Sequence, residues 1–296
     1  MSAANVLRDP ATNGLPAKQG LYDPENESDA CGVGFVVNVK ANPSHKIVSD
    51  AKALLCNMVH RGATGSDSRD GDGAGIMTGI PSVADYHALP GPPARSEPPH
   101  TDAVRSRYDF MVKEAERELN IKLPRAGEYA TGNVFFKKDD PELLASHRAT
   151  FEQIAESLNL RVLGWREVPT DGSILGPAAL SREPLILQPM VVLATSYGSG
   201  PLPNVQTEKS DDSTSDDAAF DETTFDEQYF QRQLYVLRKH STHTLLLSSG
   251  FYICSLSNKT IVYKGQLSPV QVYQYYHDLS VAFLTPSRFV APFVRR

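Results

Sequence analysis

Between residues 102 and 168 the spacing of apolar side chains alternates helix, strand, helix, strand, and that alternation most narrows the folds open to the chain. Val104, Tyr108, Met111, Val112, Ala115 and Leu119 fall at helical spacing, after which Ala130 to Phe136 reads as a strand. Asp140 is placed to cap a second helix with Pro141 at its first position; Leu144, Phe151, Ile154, Ala155 and Leu158 line one face of it. Leu160 to Val168 is again strand-like, and the extended run Leu185 to Ala194 follows. The 296 residues leave room for one large domain or two modest ones.

Upstream, Val33 to Val39 reads as a buried strand that Asn42-Pro43-Ser44 ends. Ile47, Ala51, Leu54, Leu55 and Met58 then mark a helix, with Gly62 as its stop just after His60-Arg61. The glycine-rich run Asp70 to Gly75 suits a tight turn entering a strand, and Pro90 to Pro99 a surface loop. Between Gly198 and Glu227 nine acidic residues face Lys209 alone, among serines and threonines, which reads as a disordered, solvating loop at about 199–224. An amphipathic helix is expected at Phe225 to His240, strands at Thr244 to Leu256 and Thr260 to Lys264, and a short helix from Pro269. There is no internal repeat, and both sides of the acidic loop read as one domain.

A formal charge of −6 with no Lys/Arg-rich run argues against a nucleic-acid partner. Cys31, Cys56 and Cys254 make an odd count without CxxC or zinc spacing, so neither a disulfide framework nor a metal site is expected. The leader Met1 to Ala30 carries Asp9, Asp23, Glu25, Glu27 and Asp29, unlike a secretory or mitochondrial presequence. No stretch approaches the roughly 18 apolar residues of a membrane span. These features predict a cytoplasmic protein with no membrane partner.

Cys31 opens the strand Cys31-Gly-Val-Gly-Phe-Val-Val37. A lone cysteine is more often a small buried hydrophobe than a nucleophile. An N-terminal cysteine, however, carries its own base, because an α-amino group has a pKa of about 8. That chemistry requires removal of the leader at Ala30-Cys31, and the polar stretch Glu25 to Ala30 is a suitable cleavage site. His60 and Arg61 are otherwise ordinary cations at a helix C-terminus. Asp70 to Gly75 lacks the distal acid of a calcium loop and reads as a turn, with Arg69 beside Asp70 and Asp72 as a solvated charge cluster.

Cys31-Gly-Val-Gly-Phe, His60-Arg61-Gly62-Ala63 and Gly71-Asp72-Gly73-Ala74-Gly75-Ile76, in this order, closely resemble the class II glutamine amidotransferases. Arg161 to Pro169, Ser173 to Leu180 and Phe251 to Leu267 are similar to the glutamate synthase members, especially the eukaryotic NADH type. The similarity runs from about Leu21 to Leu279. It implies an α+β fold, the N-terminal-nucleophile (Ntn) hydrolase αββα sandwich. It also implies Cys31 as the nucleophile on the γ-carboxamide of L-glutamine, a site-ordering role for Arg61, and a structural or substrate-binding role for Asp72. Ammonia would pass to a synthase domain that acts on 2-oxoglutarate with FMN, an iron–sulfur cluster, FAD and NADH, none of them bound in this chain, in an enzyme expected to be a homo-oligomer at full length.

Ser280 to Arg296 departs from the family pattern, Arg288-Phe289 being a faint echo. The expected organisation is a removable leader 1–30, an amidotransferase domain 31–279 incomplete at its C-terminus, and an aberrant tail 280–296. Losing one oxyanion donor removes about 3–4 kcal/mol of transition-state stabilisation, so the chain as written is expected to have little or no glutaminase activity and to expose sheet edges and apolar faces. The alternative is a non-catalytic truncated remnant, for which an intact Met1 terminus would speak.

Overall fold

A computed structural model describes residues 18–20, 31–40, 45–62, 64–80, 115–125, 127–195, 225–246, 249–279 and 289–294. The leader on either side of 18–20, the proline-rich loop, the first part of the expected helix at 102–119, the acidic loop and Ser280 to Arg288 lie outside the described residues. Among the described residues, two antiparallel five-stranded sheets flanked by helices make up the fold.

The first sheet begins at an edge formed by β1 (Gly32–Val33) and β2 (Val36–Val37). Both pair with β10 (Phe289–Val294), which pairs on its other side with β3 (Ala74–Gly79), and β3 pairs with β9 (Thr260–Gly265). Helix α1 (His45–Asn57) and helix α5 (Pro269–Tyr275) cover it, Ile47, Val48 and Leu55 meeting Ile76, Val272, Tyr276, Val290 and Val294 in one core. Ser268 and Gln271 form a reciprocal capping box that starts α5.

In the second sheet, β7 (Leu185–Leu193) carries β4 (Tyr129–Ala130) and β5 (Val134–Phe136) on one side and β6 (Leu160–Glu167) on the other, with β8 (Tyr252–Ile253) beyond β5. Helices α2 (Pro141–Ser157) and α4 (Glu227–Thr244) bury Phe151, Ile154, Phe230, Leu234 and Leu237 against Val134, Phe136, Leu187 and Val191. The expected Asp140 cap is present: its carboxylate accepts from Leu143 N at 3.1 Å, which holds that carboxyl below its ordinary value. Residues 115–119 are helical, and a short helix α3 (Pro177–Leu180) follows a 3-10 turn at Gly172–Ile174.

Three readings are corrected. The run from Val33 to Val39 is neither continuous nor buried. It breaks at Gly34-Phe35, and Val33, Phe35, Val37 and Val39 are 74%, 75%, 51% and 96% exposed. The break has a cause in β10: Pro292 accepts from Gly34 N at 3.0 Å, so the side of Pro292 that lacks an N–H also faces this edge, and the ladder cannot continue. Among the described residues of Thr244 to Leu256, only Tyr252–Ile253 is a strand, because α4 runs on to Thr244 and a turn at Gly250 (φ +81°) intervenes. Ala130 to Phe136 is split around Thr131, which bridges instead to Ser257.

Candidate active site

Three sequence motifs meet at one end of the first sheet. Gly32 is registered opposite Val294, and Val294 is opposite Ala74 on its other side. Both β1 and β3 run antiparallel to β10, so they start at the same end. Cys31, immediately before β1, and Asp72-Gly73, immediately before β3, are therefore neighbours across the end of β10. The third motif arrives on the 3-10 turn Val59–Arg61 that follows α1, closed by Gly62 N donating to Val59 O at 3.0 Å. A Cβ on Gly62 would lie 3.1 Å from a Val294 methyl and 3.9 Å from the Pro269 ring, so the backbone after Arg61 rests on the same residue of β10.

Cys31 is exposed and unpaired. Cys56 is half-buried on α1, and Cys254 is buried with its Sγ 3.4 Å from Val262 O, its thiol pushed up to about 11 by desolvation. Reactivity follows the thiolate and its accessibility. Of the three cysteines, Cys31 is the most open to a solute and Cys254 the least.

Asp72 is exposed; the neighbouring acid fixes the loop. The Asp70 carboxylate accepts from Ala179 N at 2.9 Å and Ala178 N at 3.3 Å, capping α3, while Asp70 O accepts from Gly65 N at 2.7 Å. From the opposite side Gln271 Nε2 donates to Arg69 O and Ile174 O, both at 2.9 Å. Gly71 leaves no room for a side chain against the Leu267-Ser268 backbone. Asp72 is thus presented by a loop clamped between α3 and α5. Arg69 pairs with Asp67 at 2.9 Å, holds that carboxyl below its ordinary value and also feels the charge of Asp70, while the Asp70 carboxylate itself is engaged with α3. Asp70 and Gln271 were not read as contributors, although Ser268-Pro-Val-Gln271 is a legible capping-box spacing.

The two sheets are joined by a buried polar network. Arg166 on β6 makes a two-pronged ion pair with Asp278, each bond 2.9 Å, and donates to Gln188 at 3.0 Å. Gln188 donates to Asn133, which donates to Val262 O in the first sheet; Tyr263 donates to Asp278 at 3.3 Å. Burial alone would lower the Arg166 pKa, but the hydrogen bonds and charge of Asp278 outweigh it and hold the guanidinium charged. Among the described residues, no group of three or more His, Cys, Asp or Glu is arranged to hold a metal ion, and no helix is long and apolar enough to cross a membrane.

Residues 31–88 and 104–290 match the family described as class-II glutamine amidotransferases. The match begins at Cys31 and ends at residue 290. The chain is 48% identical to Glutamate synthase [NADH] of Schizosaccharomyces pombe over 268 residues, which is 90% of this chain and 10% of that protein. With Glutamate synthase [NADH] of Saccharomyces cerevisiae the identity is 46% over 273 residues, 91% of this chain and 10% of that one. Glutamate synthase [NADPH] large chain of Bacillus subtilis is 32% identical over 268 residues, 90% and 14% respectively. The chain therefore spans about a tenth of the length of these two NADH-type relatives.

Proposed function

Because the chain belongs to the class II glutamine amidotransferases, we propose that it is the glutaminase portion of an NADH-type glutamate synthase, with Cys31 as nucleophile. The observation that carries this reading is the convergence of Cys31, the turn after Arg61 and the Asp72 loop at the end of β10, in a chain whose family match starts at Cys31. Two antiparallel sheets with helices outside them support the Ntn-hydrolase sandwich.

Cleavage between Ala30 and Cys31 would free an α-amine. That amine takes the thiol proton, and the thiolate attacks the γ-carboxamide carbon of L-glutamine. The C–N bond breaks, the proton leaves with ammonia, and a glutamyl thioester remains, which water hydrolyses to glutamate. Arg61 orders the site through charge-assisted hydrogen bonds, and Asp72 contributes from the braced loop. Ammonia would pass to a synthase domain in the same polypeptide, where FMN, an iron–sulfur cluster, FAD and NADH serve the reduction of 2-oxoglutarate. The full-length enzyme would be a cytoplasmic homo-oligomer.

A second reading is a non-catalytic remnant, for which an intact Met1 terminus would speak. Mass-spectrometric mapping of the N-terminus together with labelling by a diazoketone analogue of L-glutamine separates the two. The glutaminase reading expects a terminus at Cys31 and an adduct on that residue, suppressed by excess L-glutamine and absent in Cys31→Ala. An intact leader with labelling that ignores L-glutamine would establish the remnant instead.

A further inference from the structure

A cleft of about 250 Å³ opens between the sheets beside the end of β9, three strands away from Gly32. Ordinary sheet spacing puts it about 14 Å from the Cys31 end of β1. Its walls are apolar and aromatic, contributed by Phe135, Leu175, Ile186, Leu267, Tyr275 and Tyr276. The volume corresponds to about eight water molecules, the size of one small solute.

Glu183 and Lys264, two charges of opposite sign, line this apolar cleft, with the exposed Arg182 as a further cation at its wall. Glu183 has a side chain only 6% exposed; it accepts from Tyr275 at 3.1 Å and pairs with Lys138 at 2.7 Å, leaving part of its acceptor capacity unused. Lys264 donates to the Tyr252 hydroxyl at 2.6 Å and lies 4.7 Å over that ring. That one bond uses one of three ammonium donors. Among the described residues Lys264 has no carboxylate within salt-bridge distance, so the two charges do not cancel each other. A pocket with a few polar groups converging on an apolar wall is the usual form of a small-molecule site.

We propose that this cleft binds a free zwitterionic amino acid with an apolar side chain. Its carboxylate meets Lys264, its ammonium meets Glu183, and its side chain lies among the aromatic walls. An anion alone would leave Glu183 facing it, and a cation alone would face Lys264 and Arg182. The ligand also leans on Leu267 and Ala179, the residues against which the Gly71 backbone and the Asp70 carboxylate are seated.

Calorimetric titration of the full chain with L-phenylalanine tests this, with 3-phenylpropionate and 2-phenylethylamine as probes that each keep one charge. Saturable binding of L-phenylalanine is expected, weakened at least tenfold for either single-charge probe and in Lys264→Met and Glu183→Gln. Ala179→Phe, which fills the cleft without touching its charges, is expected to abolish binding while the circular dichroism spectrum is kept. Absence of saturable binding to the folded wild type, equal affinity for the singly charged probes, or wild-type affinity in a folded Lys264→Met variant would each overturn the proposal. The readout does not involve glutamine turnover, so its failure is separate from failure of the glutaminase reading.

Discussion

At the scale of single residues, burial decides which charges matter. The Arg166–Asp278 pair is almost fully enclosed, so Asp278→Ala leaves a charged guanidinium with only the more distant Glu118, at 3.8 Å, to balance it. We expect a loss of about 3–5 kcal/mol in urea unfolding. Asp50→Ala, which removes the exposed partner of Lys46, should cost about 0.5 kcal/mol or less. His147 is buried against Phe136 and Phe251 with Nδ1 unpartnered, and burial pushes its pKa down. The unfolded chain then binds the proton more readily than the fold. Stability should be full above an unfolded pKa of about 6.5, fall as the pH drops through it, and level off once the folded group also protonates. In His147→Leu that part of the pH dependence should vanish from the unfolding curves. The thiols offer a further check: iodoacetamide should alkylate Cys31 in the native protein and reach Cys254 only in denaturant. The Arg166–Asp278 pair does not show in sequence spacing, because the two residues are brought together only by packing one sheet on the other, whereas Lys46 and Asp50 are one helical turn apart.

Among the elements, those that carried both a period and a punctuating residue were legible. Asp140-Pro141 and the stripe through Phe151 and Ile154 specify α2, and Leu160 to Glu167 and Leu185 to Leu193 are strands of nearly the predicted length. Helix α5 starts at Pro269 because Ser268 and Gln271 cap it reciprocally. Ser268→Ala should reduce stability by about 1 kcal/mol. Gln271→Ala should cost more, about 2 kcal/mol, since it also strips Arg69 O and Ile174 O of their donor. A urea series on the two variants measures the difference, and equal losses would mean that the loop anchor contributes nothing. Illegible elements were those whose limits come from a neighbour. The break between β1 and β2 is set by Pro292, and the short β8 is set by how far α4 extends.

For the molecule as a whole, β10 holds the first sheet together, since among the described residues β1, β2 and β3 reach one another only through it. Deleting residues 289–296 should therefore leave the chain aggregated in size-exclusion chromatography, where an aberrant tail would be dispensable. Val33, Phe35, Val37 and Val39 form an uncovered apolar row along the edge of the same sheet, the arrangement expected to self-associate. Phe35→Ser with Val39→Ser should reduce self-association without loss of secondary structure by circular dichroism. The sequence by itself determined the mixed helix-and-sheet class, most helices and long strands, and the three motifs of the candidate site, because period, caps and glycine turns act within a few residues of the chain. Only the tertiary structure decided that residues 289–294 fill the centre of a sheet and that Val294 gathers Cys31, Gly62 and Ala74. Register between distant strands depends on side chains that meet after folding, and local spacing does not record it.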